Sequence, residues 1–272
     1  MAKPLHPRPR KPAPFPAQAA VSPPADKPLK IAGLAAVAAL FERDPGRVER
    51  LFFDERLKPK MGEFCKRLAA ERKPYRLVAP DELARVAGTP MHGGVVAVTR
   101  PRALGVFDAE DARLWAAAHR PLLVLDGVGN PHNLGAIVRT MAFFGLEKLV
   151  ISDHSAQAAP SEASYRVAEG GMEWVEISRA AHLPTALKRI KPFYRVVGTA
   201  LGQGRPLDQM PADRPIALVL GNEEEGIPAT TLAACEDVVT LPGFGRVQSL
   251  NVAATAAILA FEMTRTRMRG GA

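Results

Sequence analysis

Three short polar blocks hold the residues whose types and spacing could do chemistry. The first is Asn133-Leu-Gly135-Ala-Ile-Val-Arg139 and the second Gly221-Asn-Glu223-Glu-Glu-Gly226. The third is Leu241-Pro-Gly-Phe-Gly-Arg-Val-Gln-Ser249-Leu250-Asn251. Each hangs off an apolar, strand-like run, at 122–125, 216–220 and 238–241. Gly221 at the end of such a run lets a ligand approach the backbone closely, and the run from Arg195 ends in a Gly198-Thr199 corner where a cofactor could also lie. Taken singly, the blocks have bland explanations. Asn133 reads as a helix N-cap with Arg139 facing solvent, Ser249 as a second N-cap, and the glutamates as a solvated turn. Gly226 and the Ile227-Pro228 that follow it point instead to a shaped loop. A rival chemistry competes, because Gly127-x-Gly129, a helix, a second strand and Asp153 imitate a dinucleotide-binding βαβ unit. Gly135 lies six positions after Gly129, where that fingerprint needs about three, so a nicotinamide dehydrogenase is the weaker alternative.

The elements that must position these blocks follow from apolar periodicity. Residues 31–41 predict a helix, 48–53 a strand, 57–72 an amphipathic helix, 75–78 a strand, 80–86 a helix start and 94–98 a strand. Together they make a small α/β domain over 29–100. Residues 101–120 read as a linker with a short helix over 108–119. From Pro121 the units lengthen, with strands at 122–125, 148–152, 174–177, 195–197, 216–220 and 238–241 and helices between most of them. That pattern predicts a mostly parallel sheet covered on both faces. Leu134, Ile137, Val138, Met141 and Phe144 recur at helical spacing, and Gly145 supplies the stop. A last helix starts at Ser249 and runs to about residue 265. Its first half, 252–260, is small and apolar nearly all round and must be enclosed, by deep packing or a tight dimer interface.

Composition bounds the answer. At 272 residues with 47% hydrophobic content, the chain can build two domains or one large α/β domain. No apolar run is long enough to span a bilayer. Lys3, Arg8, Arg10 and Lys11 precede no apolar stretch, so a secretory signal is not expected. Cys65 and Cys235 have no nearby partner cysteine, which argues against a metal site or disulfide framework and for a reducing cytoplasm. The net charge of +8 sits at the two ends: residues 1–30 hold six Lys/Arg against Asp26, and Arg265, Arg267 and Arg269 close the chain. Residues 1–28 carry nine of the 25 prolines and predict a disordered basic tail. Such a tail either attracts polyanions or solubilises.

In order and spacing, the three blocks resemble the SpoU/TrmH family of RNA ribose 2′-O-methyltransferases, within the SPOUT superfamily. The resemblance implies an α/β methyltransferase domain over 121–270 whose C-terminal stretch is threaded as a trefoil knot. It implies S-adenosyl-L-methionine as cofactor, its adenine against main-chain groups near Thr199, Gly221, Leu241 and Leu250. It also implies a homodimer with the last helix at the interface, and rRNA or tRNA as substrate. Arg139 matches the position that activates the ribose hydroxyl, Asn133 and Glu223 would hold Arg139 or position the nucleotide, and Ser249 and Asn251 would line the ribose. Residues 29–100 resemble the substrate-binding domain that precedes many such enzymes, on Gly33, Ala36 and Val37 and on His92-Gly-Gly-Val95-Val-Ala97. His92 itself is either a packing histidine or an RNA contact. The chain departs from the family pattern at Leu241-Pro-Gly-Phe244, where hydrophobic-Pro-Met is usual, and at Gln248, where Glu or Ser is usual. Ala168-Glu-Gly-Gly171 stands in place of Ser-x-Gly-Ala. A catalytically silent RNA-binding or ribosome-associated factor on the same fold is the other reading. Intact Arg139, Ser249 and Asn251 argue against it.

Overall fold

Gly33 divides the first apolar run into two elements. The computed structural model describes residues 27–202 and 204–269, with side chains to Arg265, so nearly all of the expected basic tail lies outside the described residues. Within 31–41, where one helix is expected, Ile31 and Ala32 close strand β1 (Leu29–Ala32), and helix α1 (Leu34–Arg43) follows. Gly33 turns the chain at φ 100°, a value open to glycine. Ile31 and Ala32 pair with Ala97 and Val96, so partners distant in sequence decide between helix and strand. Strand β2 (Val48–Phe53), helix α2 (Gly62–Ala70), strand β3 (Tyr75–Leu77), helix α3 (Pro80–Ala87) and strand β4 (Val95–Thr99) complete a four-stranded sheet of order β1-β4-β2-β3. The helix expected over 57–72 is shorter, because Lys58–Lys60 forms a separate 3-10 turn around Pro59. His92 is buried, and its Nδ1 accepts a 3.2 Å hydrogen bond from the Gly94 N–H, as a packing histidine does.

The segment expected to be a linker contributes to the large sheet. Strand β5 (Gly105–Val106) pairs with the sheet edge, and helix α4 (Ala109–Ala117) starts at Asp108, whose carboxylate caps the Glu110 N–H at 3.2 Å. A strand of two residues leaves no periodic trace, which explains why the sequence reads as a connection.

The rest alternates strand and helix: β6 (Leu122–Asp126), α5 (Pro131–Phe144), β7 (Lys148–Ser152), α6 (Glu162–Ala168), β8 (Glu176–Ala180), α7 (Leu183–Ile190) and β9 (Arg195–Thr199). After β10 (Ile216–Gly221) come α8 (Ala229–Leu232), β11 (Asp237–Val239) and α9 (Val252–Arg269). The strand expected from 174 starts two residues later, because Trp174 ends a 3-10 turn over Gly171–Glu173. All seven strands are parallel, in the order β11-β9-β10-β6-β7-β8-β5. Alternate residues feed opposite faces. Leu123, Leu125, Ile151, Leu218 and Leu220 share one core with α5 and α9, whereas Leu122, Val124, Val196 and Val219 share another with α4 and α7. Within the single chain, Val252, Ala256, Leu259 and Ala260 of helix α9 are buried, while Ile258 and Phe261 face outward. Among the described residues, no helix is long and apolar enough to cross a membrane.

Strand β10 lies between β9 and β6. In the dinucleotide-binding order the fourth strand would pair directly with the first; here β9 pairs with β10 and β11 instead. The sheet order therefore corrects the dehydrogenase alternative.

The small sheet and the large one are built on a continuous core that joins Ile31, Val37 and Leu40 to Leu134, Met141 and Tyr165. Inside the seam, the Arg47 guanidinium donates to both carboxylate oxygens of Glu173 at 3.0 and 3.1 Å and to the Tyr165 hydroxyl at 3.3 Å. Both charged residues are buried, at 7% and 1% exposure. Removing one partner of such a pair strands the other charge away from water. Glu173→Ala should therefore cost about 3–5 kcal/mol in denaturant-induced unfolding. A loss below about 1 kcal/mol would mean that Arg47 finds water and that the pair does not organise the seam.

Candidate active site

The parallel register sets Gly221 of β10 opposite Asp126 of β6, so the loops that leave these strands are neighbours. Asn222 fastens them: its side-chain Nδ2 donates to the Gly127 carbonyl at 3.0 Å. Its Oδ1 accepts the N–H groups of Glu224 and Glu225 at 2.8 and 3.2 Å. Main-chain bonds in both directions between Asn222 and Gly226, each 3.0 Å, close the turn. A Cβ on Gly221 would lie 2.3 Å from the Gly226 carbonyl. The chain's own turn thus requires the glycine.

The turn holds Glu223 toward the start of α5. There the Asn133 carboxamide Nδ2 donates to Glu223 Oε1, and Asn133 Oδ1 accepts from Asn251 Nδ2 at 3.1 Å. One residue from each block therefore meets in a single hydrogen-bonded row. Neither asparagine-or-serine cap expected from the sequence is the actual one. Asn130 caps α5, accepting from the His132 N–H at 2.8 Å ahead of Pro131. Asn133 sits in the first turn with its side chain released for Glu223 and Asn251. Asn251 rather than Ser249 caps α9, its Oδ1 accepting the Ala253 N–H at 2.8 Å.

The remaining expected residues line the same edge of the sheet. Thr199 ends β9, and Thr240 Oγ1 donates to the Ala200 carbonyl at 2.6 Å. Leu241 packs partly on the core, while Ser249 and Leu250 are exposed. From Leu241 to Leu250 no peptide group forms a backbone–backbone hydrogen bond to another described residue. Phe244, Val247 and Leu250 present apolar surface along the same stretch. Below it, Asp237 of β11 is bonded by Arg195 and Arg205. Burial opposes ionisation of Asp237, but these two guanidinium groups outweigh it and hold the carboxyl below its usual range.

Arg139 stands apart. It lies farther along α5, exposed, and its ion pair is with Glu169 at 2.9 Å, not with Asn133 or Glu223 as expected. Three residues of this region escaped the sequence reading. Asn222 carries a signal, a turn-forming Asn between Gly221 and the acidic run. Asn130 carries one too, standing directly before Pro131 at the helix start. Glu169 lies in the Ala168–Gly171 stretch that departs from the family pattern, but nothing local links it to Arg139, which it meets only in space.

Gly221→Ala should open the turn. It is expected to lower stability by about 1–3 kcal/mol and to raise amide hydrogen exchange across residues 222–226. Unchanged exchange would mean that Gly226 can step aside and that Gly221 does not shape the loop.

Both parts of the chain are similar to known proteins. The SpoU rRNA Methylase family profile matches residues 120–261, and the RNA 2'-O ribose methyltransferase substrate binding profile matches residues 30–104. The 23S rRNA (guanosine-2'-O-)-methyltransferase RlmB of Acinetobacter baylyi is 33% identical over 250 residues, covering 89% of this chain and 99% of that protein. The Uncharacterized tRNA/rRNA methyltransferase YfiF of Escherichia coli O157:H7 is 32% identical over 240 residues, covering 87% of this chain and 68% of that one. Among solved structures, the SpoU methyltransferase AviRb from Streptomyces viridochromogenes, in complex with AdoMet, superposes with a TM-score of 0.72. It is 22% identical and covers 89% of this chain and 91% of its own, a likeness of fold. With its catalytic-domain profile spanning more than half the chain and a relative matched along almost its whole length, this protein belongs to the SpoU rRNA methylase family.

Proposed function

We propose that this protein transfers a methyl group from S-adenosyl-L-methionine to a ribose 2′-hydroxyl of ribosomal RNA, with a guanosine of 23S rRNA as the target. The observation that carries the reading is the row Asn133–Glu223–Asn251, which draws all three blocks together on the α5 side of the sheet edge. The target nucleotide is taken from the activity named for the Acinetobacter relative. That name favours the enzyme over a catalytically silent binding factor.

The residues present suit the cofactor. Peptide groups between Leu241 and Leu250, which bond to no other described residue's backbone, offer donors and acceptors for an adenine, and Leu250 with the Thr199 and Gly221 strand ends offers a floor. When bound, the cofactor supplies an electrophilic sulfonium methyl. A ribose hydroxyl is a poor nucleophile, so the protein must align it and favour its alkoxide. A guanidinium is a poor proton acceptor, so Arg139 is not an ordinary base. It serves by gripping the neighbouring phosphate and stabilising negative charge that develops on the 2′-oxygen. Asn133, pinned between Glu223 and Asn251, positions the nucleotide, while Ser249 and Asn251 line the ribose.

The same reading divides the chain into a tail over 1–28, an RNA-binding domain over 29–100 and the methyltransferase domain over 121–270, to whose sheet β5 and α4 of the 101–120 segment are joined. It includes the trefoil knot. Supporting the knot, Val239 pairs with Thr199 on one side and Arg205 on the other, so β11 runs between two arms of one loop. Gly204 permits this, since a Cβ there would lie 2.4 Å from the Val238 carbonyl. The protein also works as a homodimer through α9. Ile258 and Phe261 on its outer face, with Phe143 at 81% exposure beside Phe144, form an apolar patch suited to a second copy. Free thiols at Cys65 and Cys235 suit the cytoplasm.

Purified protein with labelled S-adenosyl-L-methionine should methylate unmodified 23S rRNA and leave a tRNA pool unlabelled, with the modified ribose resistant to alkali. Arg139→Ala should lower kcat by about 100-fold or more while calorimetry finds the cofactor bound as before. Cofactor binding without transfer to either RNA would replace the enzyme by the silent factor, and full turnover by the variant would remove Arg139 from its role. In light scattering the protein should run as a dimer, and Phe261→Glu should shift it toward monomer. A monomeric wild type would end the dimer reading.

A further inference from the structure

We propose that Glu169 is a positioning residue that fixes the orientation of Arg139 and so sets the rate of methyl transfer; this rests on the role of Arg139 given above. The Glu169 carboxylate lies 2.9 Å from an Arg139 guanidinium nitrogen. Both side chains are more than half exposed, at 55% and 57%, so the pair adds little to folding stability. Its effect is on where the guanidinium points. An exposed arginine otherwise samples many rotamers, and ordering it when RNA binds would slow or weaken the productive complex. A guanidinium has five N–H donors in a rigid fork. A carboxylate at one edge orients the fork and leaves the other donors for phosphate and the ribose oxygen.

The backbone around Glu169 is built to hold that carboxylate in place. Helix α6 ends at Ala168, and Glu169 takes the left-handed conformation at φ 45° and ψ 44°. A side chain is disfavoured there, and glycine would be the relaxed choice. Gly170 follows at φ 96°, where a Cβ would lie 3.0 Å from both the Ala35 carbonyl and the Ala39 Cβ of α1. Next to it, a Cβ on Gly171 would lie 3.1 Å from the Val138 carbonyl and 3.2 Å from the Arg139 Cα. The two glycines therefore wedge the chain between α1 and α5 directly beside Arg139. Two residues on, Glu173 is anchored by Arg47. With its main chain clamped on both sides, Glu169 has only side-chain torsions left, and those end at the guanidinium. Its negative charge also repels the phosphate that Arg139 must take, so orientation is gained at some loss of RNA affinity.

The test uses the full chain, with steady-state methyl transfer, thermal unfolding, and the variants E169Q, E169G and R139A. E169Q and E169G should each lower kcat by about tenfold without raising KM for RNA. The Tm of E169G should equal or exceed that of wild type, since glycine relieves the left-handed backbone. In the R139A background, E169Q should have no further effect. Wild-type kcat in E169Q, with R139A inactive, would overturn the proposal alone. Full activity in R139A would overturn the underlying reading of Arg139. Loss of kcat only in step with loss of Tm would make Glu169 a structural residue and overturn its positioning role.

Discussion

Strand β10 runs between β9 and β6, and its parallel register places Gly221 opposite Asp126. Because every neighbour in this sheet is parallel, all the strands end on the same edge, and their following loops must share it. A shift of one residue would turn each side chain of β10 to the other face and carry the Gly221 turn away from Gly127. The Asn222 bridge between the two loops, the aim of Glu223 at Asn133, and the meeting of α5 with the start of α9 all depend on this pairing. Ligands of open α/β sheets gather where the strand order reverses, beyond the carboxyl ends. Here that place lies between β6 and its neighbours, and the three polar blocks converge there.

A second constraint joins the small sheet to this edge. The seam is lined by the shared apolar core and holds the buried ion pair Arg47–Glu173. Such a pair is costly to desolvate and contributes more to a unique mutual arrangement than to net stability. Close to it, Gly170 and Gly171 let α1 and α5 approach the same stretch of backbone. The segment that carries Glu169 is therefore held by both layers, and the docking of the small sheet reaches the surroundings of Arg139 through main-chain contacts.

Several local expectations failed for one reason. Asn133 and Ser249 have the residue types and positions of caps, yet Asn130 and Asn251 do the capping. Cap preference ranks residue types but cannot choose between two asparagines three positions apart when Pro131 fixes the first turn. The apolar run from Ile31 is split by Gly33 because β4 offers pairing partners more than sixty residues away. The connection over 101–120 hides a strand too short for any period. Gly221 carries a constraint that no local pattern shows, the closeness of Gly226 across the turn.

What the sequence by itself determined is the class of fold and the three blocks that mark the family. Alternating apolar strands and amphipathic helices admit few arrangements besides a covered parallel sheet, and the spacing of Asn133, Arg139, Gly221, Glu223, Ser249 and Asn251 is specific enough to mark the family. Tertiary structure alone decided the insertion of β10 between β9 and β6, the row Asn133–Glu223–Asn251, and the pairing of Arg139 with Glu169. Strand order and side-chain partnership join residues 30 to more than 100 positions apart. Local propensity and periodicity extend over a few turns of chain, so contacts at that separation are set only when the whole sheet and its helices close on one another.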